Sequence, residues 1–107
     1  MRRDSYHKSY LPAVAFLNRN SNPNTMITGT AELSFGLAFY DSLSDDKYIG
    51  YYSGRRPDMI VIDSRYEEEH EGVRIKQPEI YRHIQDLLAR EYLKVYDQTP
   101  YRIYARR

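Results

Sequence analysis

Pro57-Asp58-Met59-Ile60-Val61-Ile62-Asp63 is the stretch whose reading decides the fold. Met59 to Ile62 is an unbroken apolar run with no polar face, so a strand formed there must be covered on both sides. A strand with one wet face would alternate apolar and polar residues instead. The run begins after Pro57 and stops at an acid, which marks a turn at each end. It predicts the central strand of an α/β layer domain.

Working back from that strand, Thr25-Met26-Ile27-Thr28 reads as a second strand. It runs directly into Gly29-Thr30-Ala31-Glu32, where Thr30 is suited to cap a helix from about Ala31 to Leu43. Leu33, Leu37 and Tyr40 form one face of that helix, and Phe35, Ala38 and Phe39 widen it, so the helix is expected to be largely buried. Gly36 would let it press against the sheet. Further upstream, Tyr6, Tyr10, Val14 and Leu17 recur at helical spacing. Pro12 favours a helix start at Ser9, which places the proline in the first turn and leaves the preceding residues loosely ordered. Lys47-Tyr48-Ile49-Gly50-Tyr51-Tyr52 is rich in strand formers. Only six residues separate it from the central strand, too few for a parallel crossover between neighbours. Strand order over residues 47–58 therefore stays open.

Downstream, residues 63–72 read as a polar, acidic loop that continues to Gln77. Pro78 then opens a helix whose buried stripe is Ile80, Ile84, Leu87 and Leu88. Leu93–Tyr96 and Tyr101–Ala105 alternate about Asp97-Gln98-Thr99-Pro100, the signature of a hairpin. The expected architecture is a single α/β domain over residues 1–107, ordered from about residue 9. It is a layered, Rossmann-like sandwich with a mixed sheet, a parallel centre, a C-terminal antiparallel hairpin and about three helices.

The chain has 107 residues, enough for one modest core. Its 16 basic and 15 acidic side chains leave a net charge of +1, which supplies no global field to attract nucleic acid. With no cysteine there is no disulfide, zinc-thiolate or thiol chemistry. No stretch has the ~20 apolar residues of a membrane span, so the isolated chain is expected to be soluble. The 12 tyrosines suit half-buried sheet positions, carbohydrate contacts and protein contacts alike.

Two surfaces are candidates for binding. If the first and central strands run parallel, their carboxyl ends bring Gly29, Thr30, Glu32, Asp63 and Arg65 to one edge as a small polar cleft, where a short turn of this kind can present backbone N–H groups to an anion. For the turn itself the preferred reading is close packing, with Glu32 favouring the helix dipole. On the opposite edge Tyr51, Tyr52, Arg55 and Arg56 form a patch that suits phosphate, unless the arginines are spent on ion pairs. Glu67-Glu68-Glu69-His70-Glu71 lacks a second histidine at ligand spacing and reads as solvated, so no metal site is expected. His7 and His83 stand without a nucleophile in context.

Gly29-Thr30-Ala31-Glu32-Leu33-Ser34-Phe35-Gly36, Gly50 to Asp63 and Tyr101-Arg102-Ile103-Tyr104 occur in an order that resembles the water-exposed C-terminal tail of bacterial polytopic glycosyltransferases of the dolichyl-phosphate-mannose–protein mannosyltransferase-like kind. The resemblance runs from about Tyr10 to Arg106. It implies a piece of a longer membrane protein, held at the extracytoplasmic (periplasmic) face against the transmembrane part of its parent, with lipid phosphate headgroups as further possible partners. The acidic catalytic residue of those enzymes lies in a loop this chain does not contain, so the resemblance assigns no catalytic residue and no cofactor here. Its implied function is that of a non-catalytic accessory domain of an enzyme using a lipid-linked sugar donor. Two rivals stay open. One is a free-standing domain binding a nucleotide or sugar phosphate at the Gly29 turn; the other is a small enzyme with Asp63 and Glu32 as acid and base.

Overall fold

A computed structural model describes residues 2–38, 41 and 43–107, with only the backbone of residues 2–8. The apolar run forms the third strand of a mixed five-stranded sheet. In chain order the elements are α1 (Arg2–Arg19), β1 (Ile27–Thr28), a short 3-10 helix (Ala31–Phe35), β2 (Leu43–Ser44), β3 (Met59–Ile62), α2 (Ser64–Lys76), α3 (Pro78–Glu91), β4 (Tyr92–Gln98) and β5 (Tyr101–Arg106). The strand order is β2-β1-β3-β5-β4. β1 pairs in parallel with both β2 and β3, and β5 pairs antiparallel with β3 and β4. The parallel centre and the C-terminal antiparallel hairpin are as the sequence predicts.

All four residues of β3 are buried, because the sheet is covered on both faces. Met59 and Val61 pack with Ile27, Ile103 and the α1 residues Tyr10, Ala13, Val14 and Leu17. Ile60 and Ile62 point the other way, into Tyr66 and Val73 of α2 and Ile80, Ile84 and Leu87 of α3. Alternation on β5 follows the same division, with Tyr101 and Ile103 toward α1 and Tyr104 toward α3. Burying a side chain such as Ile60 or Ile103 contributes about 1.5–3 kcal/mol.

Four segments depart from the sequence reading. α1 begins at Arg2, so Pro12 lies inside it and Ser9 is not its cap. Pro12 is exposed, and the buried stripe on the opposite face holds the helix together despite the lost backbone bond. The helix expected over residues 31–43 is instead a single 3-10 turn, ending at Gly36. There Phe35 is 88% exposed, while Leu33 and Leu37 are buried. Gly36 presses on α1 rather than on the sheet, since a Cβ there would lie 2.8 Å from Val14 Cγ1. Asn18 ties the segment to α1 from both sides, donating from Nδ2 to Gly36 O and accepting at Oδ1 from Ala38 N. Phe39, Tyr40 and Ser42, also assigned to that helix, lie outside the described residues.

The strand expected over residues 47–52 is a series of turns, and the strand in question lies earlier, at Leu43–Ser44. Asp46 wins that contest: its carboxylate accepts from the backbone N–H groups of Tyr48 and Gly50, and the chain bends through positive φ at Ile49 and Gly50. Gly50 is required there, because a Cβ would stand 2.3 Å from the Arg55 carbonyl oxygen. The acidic segment after Asp63 is not a loop but the helix α2. Asp63 caps it through a hydrogen bond from Tyr66 N at 3.0 Å, and Tyr66, His70 and Val73 form its buried face.

Candidate functional site

β1 and β3 run parallel, so their carboxyl ends open on one edge, and a cleft lies there. It measures about 230 Å³ and is lined by Glu32, Asp63, Ser64, Arg65 and the hairpin residues Pro100 and Tyr101. Thr30, buried just past the end of β1, does not line it: its hydroxyl donates to Asp63 Oδ2 at 2.9 Å in a buried contact. The other carboxyl oxygen, Oδ1, accepts from Tyr66 N. Asp63 is therefore a clamp that fastens the β1 turn and the start of α2 to the end of β3. Glu32 is exposed on the 3-10 turn, while its backbone oxygen accepts from Tyr10 of α1 at 2.9 Å.

Gly29 does not line the cleft. Its N–H donates to Ser44 O of β2 at 3.0 Å, so the donor that an anion would need is already in use. A Cβ on Gly29 would meet Leu33 Cδ1 at 2.5 Å, which explains the residue by packing. The edge brings together Thr30, Glu32, Asp63 and Arg65, and leaves Gly29 beneath them.

The second patch sits on the turn-rich loop after β2, which folds over α3. Tyr51 and Tyr52 are exposed and meet edge to face with ring centroids 5.0 Å apart. Tyr51 also packs edge-on against His83 of α3 at 5.2 Å. Arg55 is exposed, whereas Arg56 turns inward and pairs with Glu91 at 3.2 Å. The Arg56 carbonyl oxygen accepts from Arg106 at 3.3 Å, and Tyr92 OH donates to Pro57 O at 2.6 Å, so the end of this loop is anchored to the sheet. The two arginines thus divide: Arg56 holds the loop, and Arg55 faces solvent beside the tyrosines.

A third cleft, of about 330 Å³, lies between α2, α3 and β5, where the sequence reading placed only a solvated loop. Glu67, His70 and Glu71 line one wall, Tyr81, Gln85 and Leu88 a second, and Arg102 with Tyr104 the third. Glu67 pairs with Arg102, and Glu71 with Arg74. His70 Nε2–H donates to Lys47 O at 2.7 Å, and burial lowers its pKa from the ordinary 6.5, so the ring is neutral near pH 7. Tyr66, fully buried beneath, donates its hydroxyl to Asp45 at 2.8 Å, and burial raises its pKa. The signal for this wall was present in the sequence: residues 67, 70 and 71 share a face only if the segment is helical.

Among the described residues no group of three or more His, Cys, Asp or Glu side chains is placed to hold a metal ion. No described helix is long and apolar enough to cross a membrane. No protein-family model matches this chain, and neither does any curated protein or solved structure with which it was compared.

Proposed function

We propose that this chain is a non-catalytic accessory domain of a membrane glycosyltransferase that uses a lipid-linked sugar donor. It docks on the transmembrane part of its parent at the extracytoplasmic face and shapes the acceptor side. The motifs shared with the tails of such enzymes supply the parent. The observation that carries the non-catalytic part is Asp63, the one buried carboxylate among the described residues. Both of its oxygens are taken, by the Thr30 hydroxyl and by the Tyr66 N–H, in bonds that hold the fold. A carboxylate so engaged is committed to structure, and its supposed acid-base partner Glu32 stands in solvent on a separate turn.

The docking surface in this reading is the loop that carries Tyr51, Tyr52 and Arg55. Exposed tyrosines beside a solvent-facing arginine suit the boundary between headgroups and water, where an aromatic ring with a polar tip is at home. The purified chain should fold and transfer no sugar when given a polyprenyl-phosphate-linked donor and an acceptor. Measurable turnover would overturn the proposal.

A further inference from the structure

The cleft between α2, α3 and β5 takes no part in that reading, and its chemistry is different from that of either predicted surface. Each of its carboxylates already has a cation. Glu67 is paired with Arg102, and both oxygens of Glu71 accept from Arg74. Arg102 is the guanidinium among the lining residues, and Arg74 neutralises Glu71 from outside the lining, so neither a free anion nor a free cation finds an unpaired counter-charge there. What remains is a neutral wall of donors and acceptors. The Gln85 side chain offers both from an exposed position on α3 and makes no hydrogen bond among the described residues. Arg102 adds an Nε–H that is buried without an acceptor. The side chain is partly exposed and lines the cleft.

Beside these polar groups, Tyr81, Leu88 and Tyr104 are partly buried against the core and present apolar surface to the cleft. Apolar surface next to a side-chain amide and charge-balanced ion pairs matches a molecule that itself alternates C–H faces with hydroxyl groups. The volume of about 330 Å³ lies at the lower end of the range for small-molecule sites, about 300–1,000 Å³. We infer that this cleft binds a neutral polyhydroxylated ligand the size of one sugar residue. The inference stands on the cleft alone and does not require the membrane parent.

The test is an NMR titration of the ¹⁵N-labelled chain with methyl α-glucopyranoside, methyl α-mannopyranoside and methyl β-galactopyranoside, with inorganic phosphate as the charged counter-probe. At least one glycoside should give saturable shifts confined to amides of residues 67–71, 81–88 and 102–104, with a Kd of about 1–10 mM as expected for a small ligand in an open site. Phosphate should leave those amides unmoved. Gln85→Ala places a good helix former at an exposed helical position, so it should keep the melting temperature while weakening the glycoside roughly tenfold or more, and Glu67→Gln, which unbalances the charge of the wall, should admit phosphate. Absence of shifts with all three glycosides, shifts spread over other surfaces, or affinity undiminished in Gln85→Ala would overturn the inference. So would phosphate binding in the unaltered chain.

Discussion

Asp63 sits where three parts of the chain meet, and replacing it separates structure from chemistry. Asp63→Ala removes the cap of α2 and leaves the buried Thr30 hydroxyl without its acceptor. Losing a cap costs about 1 kcal/mol and stranding a buried hydroxyl about 1–3 kcal/mol, so urea denaturation should show a loss of about 2–4 kcal/mol. Asp63→Asn keeps an acceptor for Tyr66 N and should cost clearly less. Equal losses for the two substitutions would contradict the clamp. His70 gives a pH signature. Its folded-state pKa is lowered by burial, so the folded chain resists a proton that the unfolded chain accepts. The stability this contributes is complete above the unfolded value of about 6.5 and is lost as pH falls from there through the folded pKa. Unfolding free energy should drop as pH falls below about 6.5, and His70→Gln should flatten that drop. An unchanged slope in the variant would assign the effect to other groups.

The central strand, the helix opened by Pro78 and the closing hairpin were legible because each carries a periodicity that no local competitor disturbs. Met59–Ile62 has apolar residues on both faces, Ile80, Ile84 and Leu87 mark one helical stripe, and the β4–β5 hairpin absorbs its irregularity in a bulge at Val95. Where local polar chemistry competes, the sequence pattern misleads. Between Tyr48 and Tyr52 the strand propensity of tyrosine and isoleucine yields to the Asp46 carboxylate, which binds two backbone N–H groups. α2 was hidden for the opposite reason: its run of glutamates reads as solvated loop, and its buried face of Tyr66, His70 and Val73 includes a histidine. Two glycine substitutions test these elements. Gly50→Ala meets the Arg55 carbonyl at a positive φ of 79° and should destabilise by roughly 1–3 kcal/mol. Gly72→Ala, in the middle of α2 with open space around it, should stabilise by about 0.5–1 kcal/mol. A destabilised Gly72→Ala chain in thermal melts would count against the helix.

At the scale of the whole molecule, the parallel pairing of β1 and β3 converts two separate sequence signals into one edge, which is why Thr30, Glu32, Asp63 and Arg65 were foreseeable as neighbours. A close-packed turn at Gly29 was legible, but the partner of its N–H was not, because only the position of β2 beside β1 shows where it goes. The α2–α3–β5 cleft was illegible for a related reason: it needs a helix that the sequence reading did not contain. Replacing both Arg55 and Arg56 by Ala should lower stability by about 1 kcal/mol, from the half-exposed Arg56–Glu91 pair and the Arg56 bond to the Arg55 carbonyl. The same change should weaken docking in the parent, and a chain that unfolds on double replacement would make both arginines structural. The proposed function places this domain in a larger membrane protein. An antibody raised against the purified domain, used to blot fractionated cells of the source organism, tests it most directly. The account predicts one band far larger than the 12.8 kDa of this chain, confined to the membrane fraction. A band at 12.8 kDa in the soluble fraction would contradict it.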